Sequence, residues 1–333
     1  MSKRPKGPLP YSAPGIGAAW LGHVAIFGFG DGHLKLGETI VKVHAGAMLT
    51  MQASPDRSTI WTSGDDGRLV ETDASGHMHE HLTLPRKWLD SIALDPTGDG
   101  AAVAAGQTVY IIRRSGKQVD VRPPRGPTAL AFTRDGQELA VAHGGGVSLY
   151  EAETGTKVQD IPCAGGPVSI CYGQEDSFLF VGLSEPALAG WRLADGQAFK
   201  MGGYPAKPRQ LCLNDTGTVL LTSGGPALLA WPLLPGKGPM GQSAGVYRSR
   251  LGLATSVAAL NGRTLVGWSD GGIDEVDLAT GQFKHVHGPR PRQQLLEDPR
   301  KMRRSIIDMA LHPSSARFCF VGEDGTFGHG WLN

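Results

Sequence analysis

The stretch ASPDRSTIWTSGDDGRLVETD, from Ala53 to Asp73, decides the fold. It opens on a turn signal, Ser54-Pro55-Asp56, and passes through a short apolar run at Ile60 and Trp61. It then reaches a tight acidic turn, Gly64-Asp65-Asp66-Gly67, before a second extended run. Asp-Gly between two runs of strand formers predicts a hairpin, because the turn needs φ > 0 and glycine supplies it without steric cost. The same order of signals recurs down the chain. The central turns fall at Asp31-Gly32, Asp66-Gly67, Gly106, Gly145, Glu185, Gly225, Gly271 and Gly325. Successive turns lie about 35 to 40 residues apart as far as Gly225 and about 46 and 54 apart beyond it, a period typical of repeat arrays and propellers.

Each unit reads as four strands, and residues 126–162 show them well. Thr128 to Phe132 is strand a, Leu139 to His143 strand b, Val147 to Tyr150 strand c and Lys157 to Ile161 strand d. The apolar run in b is continuous, as a strand covered on both faces requires. Strand d alternates and is more polar, as an outer edge requires. Residues 305–332 supply only three strands. The N-terminal residues 7–13 are expected to supply the fourth, with Pro8 and Pro10 tolerable only on an edge strand. The expected fold is all-β: a single propeller of eight four-stranded blades over 15–333, preceded by an N-terminal arm over 1–14 and closed where both chain ends share a blade. A seven-bladed ring, with the first hairpin outside it, is the alternative.

Composition agrees. The 333 residues include 48 Gly and 23 Pro without a G-X-Y period, and 40% are hydrophobic, which suits many turns joining short strands. The net charge of +1 gives no global field that selects a partner. Cys163, Cys171, Cys212 and Cys319 show no metal-ligand spacing, and Cys171 and Cys212 fall at matching points of two repeats. All four read as reduced thiols of a cytoplasmic protein. Residues 14–30 are mostly apolar and follow Lys3, Arg4 and Lys6, the outline of a signal peptide. Pro14, His23, the glycines and the lack of an A-x-A site argue against that reading, and the stretch is too short and interrupted to span a membrane.

Four connections between strands a and b share a pattern: Ser54-Pro55-Asp56, Asp95-Pro96-Thr97-Gly98, Thr133-Arg134-Asp135-Gly136 and Asn214-Asp215-Thr216-Gly217. Strand c closes on an aromatic at Tyr150, Trp191 and Trp231. With the Ser63 to Gly67 turn, these features resemble the WD40-type β-propeller family over nearly the whole chain, in degenerate repeats of prokaryotic type. No copy carries the Trp-Asp dipeptide, and Tyr150-Glu151 comes nearest. The family's His–Ser–Asp–Trp network carries over in part to repeat two, as His44, Ser63 and Asp66, with Thr72 where the aromatic would sit. The resemblance implies a propeller and leaves blade number and function open.

Two segments break the period. Residues 233–246 lengthen the c–d connection of repeat six, and residues 287–304 lengthen the entrance to repeat eight. In a propeller, c–d loops leave one face, while d–a and b–c loops leave the other. The two insertions are therefore expected on opposite faces, and loops of this length tend to be functional or disordered.

Charge gives the main functional signal. Five of the eight strand-a entrances are basic: Pro85-Arg86-Lys87-Trp88, Pro124-Arg125-Gly126, Lys207-Pro208-Arg209, Arg248-Ser249-Arg250 and Arg303-Arg304. Repeats seven and eight carry acids in their b–c turns (Asp270; Glu323 and Asp324) that can pair with their own arginines. Repeats three, four and six carry none, which leaves Arg86, Arg125 and Arg209 without a local counter-charge. The second insertion adds Arg290, Arg292, Arg300, Lys301, Arg303 and Arg304 against Glu297 and Asp298. This pattern predicts a non-catalytic scaffold, monomeric on its own and without cofactor, whose basic loop face meets an acidic peptide or protein. Nucleic acid and membrane are not expected partners of a chain so nearly neutral. The competing reading of these charges is a solvated surface.

Two further possibilities stand beside it. His77, His79 and His81 alternate, so in a regular strand they share one face, as metal ligation would want; an exposed outer strand explains them equally. Linear catalytic patterns such as G-x-S-x-G, H-E-x-x-H and the P-loop are absent. An enzyme or small-molecule binder would therefore build its site from loops converging at the channel mouth.

Overall fold

The computed structural model describes residues 11–173, 175–204, 206–208, 210–250, 252–289 and 304–332. Within them the chain forms eight antiparallel sheets in which strands adjacent in sequence are neighbours in space. The blades cover residues 15–42, 48–83, 91–121, 127–162, 167–201, 211–247, 254–287 and 306–331. All eight b–c turns fall where the repeat pattern puts them. Gly67 shows why glycine is needed there: its φ is 80°, and an added Cβ would lie 2.0 Å from the Leu84 carbonyl oxygen. The apolar stretch 14–30 supplies the two inner strands of blade one, Gly15–Leu21 and Val24–Phe29, so the seven-bladed alternative is set aside.

Each blade buries both faces of its middle strands against its neighbours. In blade two, strand b (Thr59–Gly64) turns Ile60 toward blade one and Trp61 toward blade three, each in a separate apolar cluster. The described core consists of eight such clusters, one at each junction. The eighth joins Cys319 and Val321 of blade eight to Trp20, Phe27 and Phe29 of blade one, so the ring is closed. Polar bonds reinforce that seam. The Trp20 indole N–H donates to the Ala310 carbonyl at 3.1 Å, and the Ala18 N–H donates to Asp308 Oδ2 at 3.0 Å.

Blade eight has three described strands, Ile306–Leu311, Arg317–Gly322 and Phe327–Trp331. The expected fourth strand was placed over 7–13. Residues 7–10 lie outside the described residues, and Tyr11 to Ala13 form the connection into blade one rather than a strand. Tyr11 nevertheless marks the closure. Its N–H donates to the Gly325 carbonyl at 2.9 Å, as Val43 does to Gly32, Leu84 to Gly67 and Cys163 to Gly145. In those three blades the donor directly follows, or lies just beyond, the end of strand d.

The carried-over network in blade two needs one correction. His44 Nδ1 meets Asp66 Oδ1 at 3.0 Å, but its Nε2 meets the Thr62 hydroxyl at 2.9 Å, not Ser63. Successive strand residues face opposite ways. Ser63 turns to the other side and donates to the Leu89 carbonyl at 2.6 Å. All four cysteines are free. Cys171 and Cys212 do match in register, opposite Phe180 and Leu221 at equivalent points of strand b. No helix of the described residues is long and apolar enough to cross a membrane.

Candidate functional site: the entrance-loop face

The entrance loops and b–c turns share one face. In blades two and five the turn carries an acid and the entrance is small and neutral; in blade two the acids bind the entrance backbone. Asp65 Oδ1 accepts the Ala47 N–H at 2.7 Å, and Asp66 Oδ2 accepts the Ala45 N–H at 2.9 Å. In blade five Glu185 packs over Gly165 and Ser184 over Gly166, where the lack of side chains makes room for them. In blades three and four the entrance is basic and the turn carries no acid, only Gly106 in the one and Gly144 to Gly146 in the other. Lys87 Nζ lies over Gly106, and the Arg125 side chain lies over Gly144 and Gly145. No carboxylate stands in either place.

Blade seven combines both charges and consumes them. Arg250 is buried, with Nη1 3.1 Å from Asp270 Oδ2 and Nε 2.8 Å from Asp274 Oδ2. Its Nη2 also donates to His285 Nδ1 at 2.8 Å. Arg250 thus belongs to the frame, as the sequence pattern expected of a repeat with Asp270. Arg304 differs: it is exposed and forms no ion pair among the described residues, although Glu323 and Asp324 lie in its own blade. Arg209, Arg290, Arg292, Arg300, Lys301 and Arg303 lie outside the described residues.

The loop into blade three is the best-defined part of this face. The Leu84 N–H donates to the Gly67 carbonyl at 2.8 Å, and the Leu89 N–H donates to Gly64 at 3.1 Å. Leu89 is fully buried beside Trp61 and Ile92. These two anchors force Pro85 to Trp88 outward. Arg86 takes a left-handed conformation, φ 64°, which a non-glycine residue adopts at some cost. Trp88 is 66% exposed. Arg86, Lys87 and Arg125 are exposed and carry no ion pair among the described residues.

Other polar clusters are structural. In blade four His143 Nε2 meets Ser148 Oγ at 3.0 Å, and that hydroxyl donates to Asp160 Oδ1 at 2.6 Å. The serine therefore sits between imidazole and carboxylate, the wrong order for a base-activated nucleophile, and it is fully buried. The histidine run is not a regular strand face, although His79 and His81 come together. His77 lies in the turn before the strand Met78–Thr83, and a bulge opposite Leu69 and Val70 makes His81 an extra residue. His81 stacks on Trp61 at 4.2 Å and bonds Glu71 at 2.8 Å, while His79 meets it edge-on at 4.4 Å. Among the described residues no group of three or more His, Cys, Asp or Glu side chains is placed to hold a metal ion. The first insertion ends sooner than expected, because Gly245 and Val246 already belong to strand d. It folds back on the ring: Gly238 packs on Phe178, and Arg192 Nη1 donates to the Gly236 carbonyl at 3.1 Å.

No protein-family model matches the sequence, and no curated protein matches it. Solved structures resemble it in fold. The computationally designed protein Ika8 superposes with a TM-score of 0.78 at 14% identity, covering 97% of this chain and 98% of that one. The β-propeller domain of Cps50 (Swd1) from Myceliophteria thermophila gives 0.67 at 13%, covering 87% and 99%. A chain of hydrazine synthase from Kuenenia stuttgartiensis gives 0.64 at 13%, covering 86% and 95%. At such identities the likeness establishes the propeller fold and carries no chemistry across.

Proposed function

We propose that the protein is a non-catalytic binding platform whose entrance-loop face takes an acidic peptide or protein. The contact centres on Arg86, Lys87, Trp88 and Arg125. The observation that carries this reading is the pair of exposed cations, Lys87 and Arg125, lying over turn glycines with no acid, beside a tryptophan that is 66% exposed. In blade seven of the same face the cation is matched within the fold; here it is available to a partner. Tryptophan and arginine are also the side chains that most often dominate interface energy.

Affinity capture at low and high salt tests this. A specific partner should be held at low salt and released at high salt, since exposed charge pairs are screened. Arg86→Glu with Arg125→Glu should abolish capture while leaving the melting temperature unchanged. Trp88→Ala should weaken it by about tenfold or more. Gly144→Asp is a subtler probe: it keeps Arg125 but offers it an internal carboxylate, and binding should fall. Capture that survives charge reversal intact ends the proposal.

A further inference from the structure

We infer that the channel mouth between blades six and eight is a second binding site, for a short zwitterion with an aliphatic side chain. The chemical class is an apolar amino acid or a short apolar peptide with both ends charged. The cavity there measures about 630 Å³, within the range of small-molecule sites.

Its charged groups stand on opposite walls. On the blade-six wall stand Lys207, Gln210 and Ser223. Lys207 is exposed and has no ion pair among the described residues. Gln210 commits its side-chain carbonyl to the Val257 N–H at 2.7 Å, which leaves its amide N–H₂ for the cavity. Ser223 is 2% exposed, and its Oγ accepts the Gln210 backbone N–H at 3.1 Å. Among the described residues its own proton has no acceptor. This wall therefore offers three donors. The far wall carries Glu323, exposed and likewise without an ion pair among the described residues.

Between the walls lie Leu253 and Ile307, 42% and 38% exposed. Donors, aliphatic floor and carboxylate, in that order, complement a ligand carboxylate, an aliphatic side chain and an ammonium. A ligand without the carboxylate would leave the buried Ser223 donor unmatched, and such unpaired groups are costly. A dianion would meet Glu323. Neither Arg86 nor Arg125 takes part, so this site stands or falls apart from the acidic-partner reading.

Calorimetric titration with free leucine and with leucyl-leucine tests it, the two probes reporting how much of the cavity is filled. At least one should bind saturably, and N-acetylation or C-amidation should each weaken binding by about tenfold. In Lys207→Ala the amidation penalty should shrink while the acetylation penalty remains. Glu323→Gln should do the reverse. Arg86→Glu with Arg125→Glu should change nothing here. No saturable heat from either probe up to about 10 mM, or equal affinity for blocked and free forms, overturns the inference.

Discussion

Asp308 is a carboxyl held at the seam where the ring closes. Burial pushes it up to about 6, and the Ala18 N–H only partly offsets that. A folded-state value above the ordinary 3.8 means that folding favours the protonated form. The contribution is full below about pH 4 and is lost as pH rises through 6. Asp308→Asn keeps an acceptor for Ala18 but never ionises. Its melting temperature should match the parent near pH 4 and exceed it above pH 6, by about 1–3 kcal/mol in stability. Glu71 behaves in the opposite sense. Burial raises it, but hydrogen bonds from His81, Thr59 and Arg114 outweigh burial and bring it down to about 2. Its contribution is present above the ordinary 4.5 and is lost as pH falls toward 2. Glu71→Gln should therefore cost about 1–3 kcal/mol at pH 7, and the difference from the parent should close on acidification. Glu71 was invisible in the sequence as a hub, because its three partners come from strands b and d and from the next blade.

The loop from Leu84 to Asp90 separates framework from surface within a few residues. Leu89→Ala should cost about 2–4 kcal/mol, since it empties a filled position between blades two and three. Trp88→Ala should change stability by no more than about 0.5 kcal/mol in thermal unfolding, because its ring is in solvent. A large destabilisation by Trp88→Ala would place its ring in the fold rather than at a surface. The basic character of this loop and of the turn to Arg125 was legible in the sequence, as was the missing acid at Gly106 and Gly144 to Gly146. The histidine alternation did not translate into a regular strand face, because His77 precedes the strand and His81 is bulged, although His79 and His81 still meet at 4.4 Å.

Each blade of the ring completes its core only against two neighbours, and no cluster belongs to one blade alone. Unfolding should therefore be one cooperative event, with tryptophan fluorescence and far-ultraviolet circular dichroism giving coincident transitions. Separated transitions would mean that part of the ring stands without the rest. Trp20→Ala strikes the seam, where the indole joins blade one to Ala310 of blade eight, and should cost about 3–5 kcal/mol. The sequence alone determined the all-β class, the eight hairpin turns and the strand order. Those depend on local chemistry: glycine at positive φ, turn residues at fixed offsets and apolar runs of strand length. Only the tertiary structure decided which charges are free. Arg250 and Arg304 look alike in sequence, each with an acid in its own b–c turn, yet one is buried between two carboxylates and the other is exposed with no ion pair among the described residues. Pairing depends on what the neighbouring turn presents across a few ångströms, and that distance exists only once the ring has closed.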